Sequence, residues 1–363
     1  MEWINVQENP HKVIDRELAD NVISSEGLTL LREGMIVRTR HIPMLKRNGV
    51  TTVPVGEYAS VIDQLDQKFH QDYPSFAKAY KKQFMMLKDV FDRVQNNEPP
   101  ELDQMIEGFK ELCDEAMDSV NLFELLQQMQ GHNDYTYRHS IHVALLGALV
   151  AKIIKLPEDM IIDIGRAGLL HDIGKLRVSN AIIDKPARLT ENEFAMIQEH
   201  CELGYELLIN YTDVNQTILD GTLSHHERLD GSGYPFGLKG DEIPVAAALL
   251  GVVDVFDAIS SDRAYQKKSS PLTALSIIID EIYKGKLDIK YGLPFVNYML
   301  DAYTASDVIL SDGRLARIVR IEMDSVENPL IQTKDGVFQL KELHGVEILD
   351  ITDRHAKAII ENR

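Results

Sequence analysis

The chain has 363 residues and a mass of 41.1 kDa, with 44% hydrophobic and 26% charged residues. That length calls for two or three compact units, and the balance excludes disordered, collagenous and fibrous proteins. Asp and Glu number 57 against 38 Lys and Arg, a formal charge of −19, which excludes a long phosphate backbone, DNA or RNA, as partner, because no concentrated basic patch offsets it. An anionic substrate must therefore meet its positive charge locally, from a few Lys and Arg side chains or from bound metal ions. No run approaches eighteen consecutive apolar residues, and the first ten residues show neither the basic nor the apolar segment of a leader. The expectation is a soluble, cytoplasmic protein with no membrane partner. Cys113 and Cys201 stand far apart with no paired-cysteine spacing, so both are expected as reduced core thiols.

In chain order, residues 1–60 predict a small α+β domain: Leu28 to Val37 extended, Arg40 to Arg47 helical, a stop at Gly49, and a strand over Val50 to Val55. Residues 61–130 predict an amphipathic helical connector. Phe76, Tyr80, Phe84, Leu87, Phe91 and Val94 recur at steps of four and three; the turn Asn96-Asn97-Glu98-Pro99-Pro100 breaks the pattern, and it resumes from Leu102 to Phe123. An antiparallel pair within the chain and the stalk of a homodimer both satisfy it. Residues 131–305 show helical periodicity joined by short polar turns and predict an all-α domain. Within it Thr190-Glu191-Asn192-Glu193 is a capping box for a helix carrying Met196, Ile197 and His200. In residues 306–363 the period changes, and Asp312-Gly313 and Asp335-Gly336 between apolar runs predict hairpins of a small β domain. The fold class is mainly α, with no internal repeats.

Seven of the twelve histidines fall between His132 and His226. His171-Asp172 and His225-His226 are adjacent pairs, while His139, His200 and Asp254 stand alone, with gaps of 25–32 residues between successive members. Such gaps let successive helices each send a ligand to one point. Five imidazoles and two carboxylates suffice for two metals, and imidazole suits Fe, Mn, Zn or Ni rather than Mg²⁺. A carboxylate can bridge two cations about 3.5–4 Å apart, and such a pair activates water and clamps a phosphoryl group, so hydrolysis of a phosphate ester is the natural reaction. Spacing alone leaves His142 as open a candidate as His139. His11, His41, His70, His344 and His355 fall outside the cluster.

The run His171-Asp172-Ile173-Gly174-Lys175 resembles the signature of the HD metal-dependent phosphohydrolases. The eleven residues His225-His226-Glu227-Arg228-Leu229-Asp230-Gly231-Ser232-Gly233-Tyr234-Pro235, followed by Val253-Asp254-Val255-Phe256-Asp257-Ala258, resemble the defining stretches of their HD-GYP subfamily. The resemblance covers Asp134 to Tyr303. It implies an all-helical domain that hydrolyses cyclic di-GMP, through pGpG to GMP, with a metal-bridging hydroxide as nucleophile. It also implies that His139, His171, Asp172 and Asp254 hold one metal and that Asp172 bridges to a second, held by His200, His225 and His226. His139 is thereby preferred to His142. Lys175 and Arg263 match the family's basic residues at the substrate phosphate, Asp257 matches a substrate-side position, and Gly233, Tyr234 and Pro235 match a lip beside the metals that resembles surfaces meeting diguanylate cyclase domains.

Two departures bear on this. Some members carry a Glu four residues before the first histidine, ligating a third metal; here Tyr135 stands there and Asp134 is one position further off, so a two-metal centre, Fe or Mn with Ni or Zn as alternatives, is expected. A second basic residue three positions after Arg263 is replaced by Gln266, with Lys267 adjacent, which implies an altered grip on substrate. The remaining alternatives are a mixed cyclic dinucleotide such as cyclic GMP-AMP as substrate, or a cyclic-dinucleotide receptor with little turnover. The complete ligand set favours the enzyme.

Overall fold

The computed structural model describes residues 2–352 apart from 15, 25–28, 32–34, 36, 39–40, 59–72, 119–121, 123–125, 127–134, 184, 186 and 262–269. Contacts gather the chain into two compact units, one of residues 1–64, 127–133 and 299–363, the other of residues 65–126 and 134–298. The first unit holds both terminal segments. Its N-terminal part runs β1 (Glu2–Asn5), β2 (Arg16–Leu18), β3 (Val22–Ile23), β4 (Thr29–Leu31), α1 (His41–Arg47) and β5 (Thr52–Tyr58). Strand β5 lies between β1 and β2, antiparallel to both. Ile4, Leu18, Leu45, Val53 and Val55 close a small core between sheet and helix.

The helical unit opens with α2 (Pro74–Gln95) and α3 (Asp103–Asp118). The apolar seam expected from the sequence is buried along both helices. Gln83 Nε2 donates to the Met105 carbonyl at 3.2 Å, and Lys82 pairs with Glu111 at 2.7 Å, so the two helices pack on each other within the chain. Phe109 on α3 is fully buried, with its ring filling the space over Gly165. Phe109→Ala is expected to cost about 3–5 kcal/mol through the cavity left behind, read as a lower urea midpoint at unchanged slope. An unchanged midpoint would show that the site collapses without loss.

The remaining helices are α4 (Tyr135–Ile153), α5 (Glu158–Leu170), a 3₁₀ turn at Ile173–Arg177, α6 (Asn180–Ile183), α7 (Glu191–Gln198), α8 (His200–Leu208), α9 (Gln216–Ser224), α10 (Val245–Ser260), α11 (Pro271–Tyr283) and α12 (Ile289–Tyr303). Helix α4 is buried on every side from Arg138 to Ala151, which is why its sequence lacks an amphipathic stripe. It crosses α5 at near backbone contact, because a Cβ on Gly168 would lie 2.6 Å from the Ala144 Cα. Only glycine allows that approach, and the approach brings His139 and His171 together. Among the described residues no helix is long and apolar enough to cross a membrane.

The C-terminal part of the first unit is a five-stranded antiparallel sheet in the order β10-β6-β7-β8-β9, from β6 (Asp307–Leu310), β7 (Leu315–Arg320), β8 (Leu330–Thr333), β9 (Gly336–Gln339) and β10 (Ile348–Thr352). Both expected hairpins are present, β6 to β7 through Asp312-Gly313 and β8 to β9 with Thr333 opposite Gly336. Arg47 donates to the Gly313 carbonyl at 3.5 Å within this unit.

Candidate metal centre

Helix ends deliver most of the site. His171 caps the C-terminus of α5, and Asp172 opens the 3₁₀ turn that carries Lys175. His225 caps α9, and His226 follows it. The capping box at Thr190 is formed with Glu193, but the helix it opens ends before Glu199. His200 is therefore the first residue of α8, not the tail of α7. His139 lies on α4, and Asp254 and Asp257 lie on α10.

These side chains converge as two groups, His139, His171 and Asp254 in one and Asp172, His200, His225 and His226 in the other, with the ligand atoms of each group within 4.8 Å of one another. Asp172 lies between them. Its Oδ2 is 3.4 Å from His171 Nε2 and 3.7 Å from His139 Nε2, and its Oδ1 is 3.4 Å from His200 Nε2 and 3.7 Å from His225 Nε2. His139 Nε2 also approaches Asp254 Oδ1 at 3.2 Å. Lys175 Nζ reaches Asp172 Oδ2 at 2.6 Å.

The hydrogen bonds behind the rings determine which nitrogen faces inward. His171 Nδ1 donates to the Gly168 carbonyl at 2.8 Å, His200 Nδ1 to that of Ile197 at 2.7 Å, and His225 Nδ1 to those of Gly221 and Thr222 at 3.1 Å. A carbonyl can only accept, so in each neutral ring the lone pair sits on Nε2. Yet His200 Nε2 and His225 Nε2 face each other at 3.4 Å, with the Cys201 thiol 3.5 Å from His200 Nε2, and among the described residues neither His171 Nε2 nor Asp172 Oδ1 has a hydrogen-bond partner. Buried lone pairs that converge with no more than a weak thiol donor are costly, and a cation among them removes the cost. The nitrogen and oxygen donors fit divalent transition metals.

The electrostatics agree with that fit. Burial holds His171 down to about 4 and His200 down to about 3, and it holds His226 well below the usual imidazole range. These rings are neutral near pH 7, with lone pairs available. Burial works against ionising Asp172, but His171 and Lys175 outweigh it and keep the carboxyl far below its ordinary range. Burial likewise opposes a charge on His139, and the bonds to Asp254 and Asp257 overcome it, raising that ring to about 9. A group that draws a proton between its carboxylates favours positive charge at that point.

The remaining expected residues are distributed differently. Asp257, matched to a substrate-side position, is buried, and its oxygens take Nδ1 of His139 at 2.7 Å and Nδ1 of His142 at 3.1 Å. Packing of α10 against α4 turns the carboxylate to these rings. Tyr135 stacks on His139 with centroids 5.4 Å apart. Arg263, Asp134, Gln266 and Lys267 lie outside the described residues, as do His70, His132 and His355. Cys113 and Cys201 are free and buried, and burial pushes both thiols up, Cys113 to about 12.

The loop after His226 is organised by a residue to which the sequence assigned no role. Glu227 is buried, and its two oxygens accept from the backbone N–H of Phe236 at 2.7 Å and Leu238 at 2.9 Å. Gly233 lies so close to the His226 carbonyl and the Arg228 nitrogen that a Cβ would overlap both. The Tyr234 ring thereby stacks on His226 at 4.6 Å, and Phe194 of α7 meets Tyr234 edge-on at 6.3 Å. Phe194 is 48% exposed, an unusual state for a large ring beside a polar centre. Glu227 lies within the His225–Pro235 stretch but its spacing gives no hint of its role, and Phe194 carries no signal separable in sequence from an ordinary core aromatic.

A family model described as HD domain matches residues 115–290. A cyclic di-GMP phosphodiesterase of Pseudomonas aeruginosa is 34% identical over 226 residues, 61% of this chain and 54% of that protein. A cyclic di-GMP phosphodiesterase of Thermotoga maritima is 31% identical over 220 residues, 60% of this chain and 55% of that protein. A 3′3′-cGAMP-specific phosphodiesterase of Vibrio cholerae is 39% identical over 149 residues, 41% of this chain and 32% of that protein. The chain thus spans about half, or less, of the length of these curated relatives. A solved HDG"Y"P protein from Bdellovibrio bacteriovorus shares the fold, with a TM-score of 0.51 at 15% identity, covering 82% of this chain and 99% of that one.

Proposed function

This chain belongs to the HD-domain family and carries the Gly233-Tyr234-Pro235 run of its HD-GYP branch, and from that premise we propose that it is a metal-dependent phosphodiesterase hydrolysing cyclic di-GMP to pGpG and GMP. The observation that carries the proposal is Asp172, with one oxygen toward His139 and His171 and the other toward His200 and His225. On this reading His139, His171 and Asp254 hold one metal, His200, His225 and His226 hold a second, and Asp172 serves both. Iron or manganese is the preferred pair, with nickel or zinc as alternatives. Metals so held supply water of lowered pKa and a clamp for the phosphoryl oxygens.

The chain's own residues do the rest. Lys175 steadies Asp172 and offsets negative charge on the substrate phosphate, and Arg263 adds a second cation. Gly233, Tyr234 and Pro235 form the lip of the site, and Phe194 beside Tyr234 offers a ring face to a guanine base. Base–aromatic stacking is worth about 1–3 kcal/mol. Phe194→Ala is accordingly expected to raise the KM for cyclic di-GMP about tenfold with kcat nearly unchanged. A KM equal to that of the wild type would remove Phe194 from the substrate's path.

The test is turnover of cyclic di-GMP by anaerobically purified protein with Fe²⁺ or Mn²⁺, beside Asp172→Ala and a chelated sample. Metal-dependent formation of pGpG or GMP is expected, absent in the variant and after chelation, and restored by added Mn²⁺. The identity to a 3′3′-cGAMP-specific enzyme favours one second reading, in which a mixed cyclic dinucleotide is the preferred substrate. Faster turnover of cyclic GMP-AMP in competition would establish it. Metal-dependent binding of either dinucleotide without hydrolysis would move the chain to the receptor class.

A further inference from the structure

His139 differs from the other inward-facing rings in what holds it. His171, His200 and His225 give their Nδ1–H to main-chain carbonyls three or four residues back, acceptors whose positions helix geometry fixes. His139 gives its Nδ1–H to a side chain, Asp257, which can rotate about its own terminal torsion. That rotation is stopped by His142, one turn along α4, whose Nδ1–H takes the other oxygen of the same carboxylate at 3.1 Å. Ser261 Oγ donates to that second oxygen at 3.2 Å. Asp257, His139 and His142 are all buried, so no solvent competes for these bonds. His142 Nε2 has no hydrogen-bond partner among the described residues.

We propose that Asp257 and His142 are positioning residues forming a bracket, in which His142 pins the Asp257 carboxylate so that the carboxylate holds His139 with its Nε2 toward Asp254 and Asp172. The inference rests on the metal-centre reading above and deepens it. In sequence His142 competes with His139 as a ligand. Its role in the structure is to hold the partner that holds the ligand. Carboxylates behind metal-binding histidines typically change affinity 10–100-fold when altered.

Two replacements of His142 separate the donor from the bulk. His142→Asn keeps an N–H close to where Nδ1 stands and loses the rest of the ring. His142→Phe keeps the volume and loses the donor. The full chain, stripped by chelation, would be titrated with Mn²⁺ by calorimetry and with Co²⁺ by its visible ligand-field absorption. His142→Asn is expected within about threefold of wild-type Mn²⁺ affinity, His142→Phe about tenfold weaker with an altered Co²⁺ spectrum, and the isosteric Asp257→Asn 10–100-fold weaker. Wild-type affinity in His142→Phe or in Asp257→Asn overturns the bracket. So does equal weakening in His142→Asn and His142→Phe, which would make the residue a packing element. A wild-type chain that binds no Mn²⁺ overturns the metal centre and the bracket together. Binding without cyclic di-GMP turnover defeats the substrate assignment alone.

Discussion

Asp172→Asn is expected to lower turnover of cyclic di-GMP by at least about 10²–10³-fold, the range seen when one preorganised electrostatic group is removed from a site. The substitution is nearly isosteric, so the far-ultraviolet dichroism of the helical unit should not change. What changes is charge and donor capacity. The carboxylate is buried, faces Nε2 of His139, His171, His200 and His225, and accepts from Lys175 at 2.6 Å. An amide offers one oxygen where the site uses two, and its NH₂ points a donor at one ring group or the other. Metal content per chain, measured by mass spectrometry of the purified variant, should therefore fall along with turnover. A variant that keeps full metal content and more than a tenth of wild-type turnover would show that Asp172 does not join the two groups.

The largest effect expected from a single methyl is at Gly174. A Cβ there would overlap the carbonyl oxygen of His200 and crowd the backbone nitrogen of Gly204. Both are main-chain atoms of α8, so no flexible side chain can yield. Helix α8 must move away from the 3₁₀ turn, and His200 moves with it, away from Asp172. Gly174→Ala is expected near the upper end of the about 1–3 kcal/mol that overpacking costs, a thermal midpoint lower by roughly 6–12 °C. Binding of the metal assigned to His200, His225 and His226 should weaken in the same variant. Melting and Mn²⁺ titration of the alanine variant at wild-type values would show that α8 has freedom the packing does not suggest.

Much of the fold was legible because its signals are local. The three- and four-residue steps from Phe76 to Val94 require one apolar stripe wherever the helix packs, and that stripe is buried. Asp312-Gly313 makes a tight turn whatever its neighbours, and it joins β6 to β7. The histidine and aspartate cluster was legible for a related reason. Gaps one helix long bring residues at corresponding helix ends to one region, and a compact ligand motif is not needed when His171, Asp172, His225 and His226 sit where α5 and α9 stop.

What the sequence determined by itself was thus the set of helices, the hairpins and the residue types able to meet. The tertiary structure alone decided which atoms do meet. His139 and His142 are three apart on one helix, equivalent by periodicity, and only the rotation of α4 against α10 sends one Nε2 toward Asp172 and leaves the other ring to Asp257. The break at Glu199 that restarts the helix at His200 has no local signal, since the capping box at Thr190 favours an uninterrupted helix. Asp257 and Glu227 act through partners that are remote in sequence or set by the loop's closure, a ring on α4 for one and backbone N–H groups of the lip for the other. Periodicity describes one helix or strand at a time. Contacts between elements depend on their relative rotation and closest approach, and those are set by the whole packed core.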